Sequence, residues 1–89
     1  MSFFENKEIK ERKKELSLNP NDPAAHFNLG AAYDKAGKLH EAIKEFEETI
    51  KIHPTSAEAH FNLGVLYEGV KQGEKAIVHI LKAGTLFGD

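Results

Sequence analysis

His26-Phe27-Asn28-Leu29-Gly30 decides the reading of this 89-residue chain, because it returns unchanged as His60-Phe61-Asn62-Leu63-Gly64, 34 residues later. The same offset carries Tyr33 onto Tyr67, Ala42 onto Ala76, Ile43 onto Ile77 and Pro20 onto Pro54. A fixed period of this size marks stacked supersecondary units, each unable to bury its apolar face alone.

Each copy also fits a known pattern: an aromatic-type residue, Leu-Gly, Tyr, Ala-x-x-x-aromatic and then Pro. The first copy supplies His26, Leu29, Gly30, Tyr33, Ala42, Phe46 and Pro54; the second supplies His60, Leu63, Gly64, Tyr67, Ala76 and Ile80, with Gly88 at the place of Pro. The chain therefore resembles the tetratricopeptide repeat family over residues 22–89. It departs from the pattern where His replaces the opening Trp in both copies. The resemblance implies an all-α fold, a right-handed antiparallel superhelix of about five helices. Residues 1–21 are expected to be a degenerate capping helix, 22–55 the first repeat and 56–89 the second.

Composition excludes several classes of function. A net charge of -2 offers no basic field for nucleic acid. Without cysteine there is neither a disulfide nor a thiolate metal site. Apolar runs are far shorter than the roughly 20 residues that span a bilayer, and charges follow Phe3-Phe4 at once. A soluble, cytoplasmic protein without a cofactor is the expectation.

Along the chain, residues 5–15 alternate charge, with Glu8–Arg12 as a favourable i,i+4 pair and Ile9 and Leu16 as a thin apolar stripe. Such a polar outer side suits a terminal cap. A basic arm for an acidic partner is the rival reading, disfavoured by the balance of signs. Asp22-Pro23 starts a helix over about 23–36, because Asp accepts from free N–H groups and Pro has none to lose. Gly37 ends it in a left-handed turn. Leu39, Ala42, Ile43, Phe46 and Ile50 place the next helix at about 39–52, with Glu47–Lys51 on its outer face. Ser56 caps a helix over about 57–70, which is expected to fray near Gly69. The last helix covers about 74–87, with Gly84 weakening its final turn by roughly 1 kcal/mol relative to Ala. Gly30 against Ala42, and Gly64 against Ala76, would let paired helices approach closely.

In arrays of this family the first helix of each repeat lines a concave groove. The resemblance places Ala24, Phe27, Ala31, Asp34 and Lys35 there, and Glu58, Phe61, Val65 and Glu68 from the second repeat. Asn28 and Asn62 resemble the asparagine ladder of the arrays that serve the protein N-acetylglucosamine transferase. A carboxamide carries both donor and acceptor and can bond a peptide backbone without reading its sequence; common filler facing water is the plain alternative. Phe27 and Phe61 are candidate anchors, or else contacts to a neighbouring helix. Family members that grip a terminal carboxylate use Lys where this chain has Phe27 and Glu58, so that clamp is missing. The peptide-binding set is thus Phe27, Asn28, Ala31, Lys35, Phe61, Asn62 and Val65.

Chemistry finds less support. His26 and His60 sit on adjacent helices roughly 8–10 Å apart, too far to share a metal without other ligands, and packing in place of Trp is the preferred role. Glu41, Glu45, Glu47 and Glu48 lie along a helix and should be solvated; no phosphate loop or nucleophile–base pairing is evident. The expected function is protein–protein interaction, not catalysis. The alternative is self-assembly. Between the two second helices, Lys44 becomes Val78, Glu47 becomes Leu81 and His53 becomes Phe87. A homodimer through Val78, Leu81 and Phe87 would cover that apolar face. The N-terminal Phe3, Phe4 and Ile9 of another copy would serve too, and a further helix of a longer protein is the alternative occupant.

Overall fold

The computed structural model describes residues 6–70 and 73–86, with side chains described for 6–70 and 79–86. Five helices follow one another among them: α1 (Lys7–Leu18), α2 (Pro23–Lys35), α3 (Leu39–Ile52), α4 (Ala57–Gly69) and α5 (Gly73–Leu86). No strand occurs among the described residues. Each helix packs on its neighbour in the chain, α2 on α3 and α4 on α5 most closely. The result is the right-handed antiparallel stack expected of the 34-residue period.

Local chemistry sets the ends. Asp22 accepts from the Ala24 amide at 2.9 Å ahead of Pro23, and Ser56 accepts from Ala59 at 3.2 Å. Asn6 caps α1 through the Ile9 amide at 3.2 Å, a start the charge pattern had not revealed. Gly37 takes φ 77°. Its amide reaches the Asp34 carbonyl at 3.0 Å and the Lys38 amide reaches Tyr33 at 2.9 Å, the double bond of a Schellman turn. α4 stops at Gly69, as the sequence suggested, with Val70 beyond it.

Two apolar clusters hold the stack. Ile9, Leu29 and Ala32, with Leu16 beside them, seat α1 on α2. Ala42, Ile43, Phe46, Ala59, Leu63, Leu66 and Tyr67 join α3 to α4, and Tyr33 packs against both clusters. Phe46 and Leu63 are wholly buried. The room beside Gly30 is filled by the Phe46 ring rather than by Ala42: a Cβ there would stand 3.1 Å from two ring carbons. Gly64 is buried as well; its expected partner Ala76 lies outside the described side chains.

Two expected ion pairs give way to others. Arg12 pairs with Glu15 at 2.7 Å, not with Glu8, because Glu8 turns to Lys35 of α2 at 2.9 Å. Lys51 pairs with Glu48 at 2.9 Å, since Glu47 accepts the Tyr67 hydroxyl. In both cases a partner from a neighbouring helix displaces the one four residues away.

Candidate functional site: the face shared by α2 and α4

The helical spacing puts Ala24, Phe27, Asn28 and Ala31 along one side of α2, and Glu58, Phe61, Asn62 and Val65 along the corresponding side of α4. Between the two N-terminal halves opens a cleft of ≈ 380 Å³. α2 contributes Pro23, Ala24, Phe27 and Asn28; α4 contributes Ala57 and Glu58; Thr49, His53, Thr55 and Ser56 close its floor.

The seven residues of the peptide-binding expectation divide. Phe27 and Asn28 line the cleft, Asn28 exposed and Phe27 half-buried, its ring meeting Phe46 edge-on at 5.2 Å. Ala31 is half-buried against the α3–α4 cluster. Lys35 stands at the far end of α2, tied to Glu8. Phe61 and Val65 lie further along α4 and are 47% and 50% exposed, with Asn62 half-buried beside them. None of these three lines the cleft, but Glu58 does, one turn before Phe61 on the same stripe.

The end of the stack is also apolar. Ile80 and Leu81 of α5 are 44% and 67% exposed. Of the expected oligomer interface, Leu81 is thus on the surface, whereas Val78 and Phe87 lie outside the described side chains, as do Phe3 and Phe4.

Polar anchoring behind this face was not legible in the helix pattern. The His26 ring bonds Glu45 Oε1 through Nδ1 at 2.8 Å and the Pro20 carbonyl through Nε2 at 2.8 Å. Both partners only accept, so both bonds are complete only when the ring carries two protons. Burial opposes that charge, but the Glu45 carboxylate, the Pro20 carbonyl and nearby Glu48 outweigh it, and the His26 pKa is raised. Glu45, expected in solvent, has a side chain only 13% exposed. Glu47 is half-buried too, and holds the Tyr67 hydroxyl. Burial first and this carboxylate second push the Tyr67 pKa well above the tyrosine range.

In the second copy the His60 ring repeats the pattern with one change. Nε2 meets the Pro54 carbonyl at 2.9 Å, while Nδ1 meets Nδ1 of His79 at 2.8 Å. The two rings lie stacked at 5.0 Å, and Tyr67 stacks on the other ring at 5.5 Å. The signal was present in the sequence, for Glu45 and His79 are themselves 34 residues apart. Among the described residues no three such side chains gather in the manner of a metal site. None of the described helices is long and apolar enough to cross a membrane.

Comparison with known proteins agrees with this architecture. A family model for the TPR repeat matches residues 35–70, and one for the tetratricopeptide repeat matches residues 13–44. The crystal structure of MamA is similar over 88% of this chain and 46% of its own, with 31% identity and a TM-score of 0.83. A MamA AMB-1 structure is similar over 91% of this chain and 45% of its own, at 29% identity and a TM-score of 0.83. This chain thus spans less than half the length of those MamA chains. Comparison with curated proteins finds no match. The chain belongs to the tetratricopeptide repeat family, whose stacked helices serve as protein-interaction scaffolds.

Proposed function

We propose that the chain binds an extended segment of a partner protein along the α2–α4 face. The observation that carries this reading is the cleft between Phe27, Asn28 and Glu58, prolonged along α4 by exposed Phe61 and Val65. Aromatic anchors supply most of the affinity in such interfaces, and the two asparagines supply paired donors and acceptors for a peptide backbone. Lys35 adds charge only at the α1 end, where it already serves Glu8. Peptides selected from a displayed library against the intact chain provide the test. Asn28→Ala and Asn62→Ala should each weaken the selected peptide by about 1 kcal/mol, and Phe61→Ala by more. Chemical-shift changes confined to Lys44, Glu48 and Lys51 would place the binding on the opposite face and end this reading.

A second reading, self-assembly through the last helix, is favoured by a separate observation. Shifted by 34 residues, wholly buried Phe46 becomes Ile80, half-buried Phe27 becomes Phe61, and half-buried Glu47 becomes Leu81. What α4 covers in the first copy lies open in the second. Each large apolar side chain put under cover contributes about 1.5–3 kcal/mol, so a second copy would gain by docking here, most simply about a two-fold axis. Light scattering over a concentration series should show a dimer that Leu81→Glu dissociates. A parent chain monomeric at high micromolar concentration would remove this reading and leave the first intact.

A further inference from the structure

The two copies share one hydrogen-bonded device and differ in one of its members. A histidine on the first helix of each repeat donates from Nε2 to the carbonyl of a proline six residues earlier, Pro20 for His26 and Pro54 for His60. Its Nδ1 then faces a side chain 19 residues later on the second helix, Glu45 in one copy and His79 in the other.

Proton counting separates the two. Nδ1 of His26 faces an oxygen that only accepts, so the first pair is complete with one proton on that nitrogen and the ring charged. Between His60 and His79 two Nδ1 atoms stand 2.8 Å apart, and a bond at that distance holds one proton. With His60 neutral, its Nε2–H is committed to Pro54, its Nδ1 accepts, and Nδ1–H of His79 donates. One added proton is tolerated, because His79 can take it on Nε2 and still donate from Nδ1. The next must go to Nδ1 of His60. Two N–H groups and two positive charges would then face each other at hydrogen-bond distance.

We propose that the His60–His79 pair is an acid-sensitive latch that holds α5 onto α4 and lets it go when both rings are charged. Docked, the pair binds at most one added proton; apart, the two rings bind two. Docking must therefore weaken as pH falls. The His26–Glu45 pair binds an extra proton when α2 and α3 are docked, so acid strengthens that junction. One fold thus carries two junctions of opposite response, and the one that opens bears Ile80 and Leu81.

The charged and titratable groups around the latch are few among the described residues. From α4, Tyr67 stacks on His79 with its hydroxyl held by Glu47 of α3. From α5 itself, Lys82 follows His79 by three residues and is exposed. Tyr67 stays neutral through this pH range, since its pKa is raised. Glu47 is therefore the one anion from α3 tied to the latch, and it reaches the pair through a neutral ring.

Native-state hydrogen exchange, followed residue by residue in the intact chain and corrected for intrinsic rates, tests the latch. Between about pH 7.5 and pH 5, α5 amides should lose protection relative to α2 and α3 by up to about tenfold per pH unit, the slope of a one-proton difference. His79→Glu recreates the first copy's pair and should reverse the sign, so that acid protects α5. If that variant fails to fold, Glu45→His should import the acid weakness into the α2–α3 junction. Unchanged relative protection of α5 across this range would overturn the proposal, as would a His79→Glu chain that responds to acid like the parent.

Discussion

Gly30 and Phe46 form the tightest fit in the described core, and the substitution Gly30→Ala sets two effects against each other. Ala gains up to about 1 kcal/mol of helix propensity over Gly. Its Cβ, however, would press on a wholly buried ring that Phe27 braces edge-on, and overpacking of that kind costs about 1–3 kcal/mol. The clash should win, with a net loss near 1 kcal/mol in urea unfolding, and Gly30→Leu should cost several. Combined with Phe46→Leu, Gly30→Ala should cost less than the two singly, because they share one space. His26 carries a second expectation. Its folded pKa is raised, so its stabilisation is fully present below the unfolded value of about 6.5 and is lost as pH rises through the folded one. Glu45→Gln should therefore lower the melting temperature more at about pH 6 than at about pH 8; equal losses would show that the pair acts only by packing. These side-chain partners were the least legible part of the chain. Bonds between antiparallel helices join residues 19 apart and follow from the crossing of the helices, which no single-helix periodicity encodes. The same blindness produced the Glu8–Arg12 and Glu47–Lys51 expectations, both of which lost to partners on other helices.

At the scale of the element, most of the fold could be read directly. Asp22-Pro23, Gly37 and Ser56 are punctuation with a local mechanism, and the helices start and stop within a residue or so of where those signals put them. α1 was harder, since its alternating charges hide a contact surface of two residues, and only Ile9 is deeply buried there. That makes α1 the weakest described seat in the stack and gives a clean test. Ile9→Ala should cost about 2–5 kcal/mol of α1 docking, read as lost amide protection over residues 7–18. Because α1 touches mainly α2, protection in α4 should hardly change. A uniform loss across all helices would mean that the stack melts as one unit.

The whole molecule extends 42 × 28 × 16 Å, a slab rather than a ball. Where the slab is thin, every helix presents a long side to its surroundings, and function is read from which sides remain apolar. The sequence anticipated the α2–α4 face from family resemblance, and the structure divides that face into a cleft, a stripe along α4 and a remote Lys35. The exposed apolar end was anticipated from Leu81, but its kinship with the covered Phe27–Phe46 surface required burial to be seen in both copies. One feature of the slab also makes it observable without a label. The chain has no tryptophan and two tyrosines, and the Tyr67 hydroxyl rests on the Glu47 carboxylate across the α3–α4 junction. An excited phenol surrenders its proton readily to such a base and emits weakly as tyrosine. Parting α3 from α4 should therefore brighten the protein's ultraviolet emission, so that the junction between the two repeats reports on itself by light, and Glu47→Gln should leave it bright from the outset.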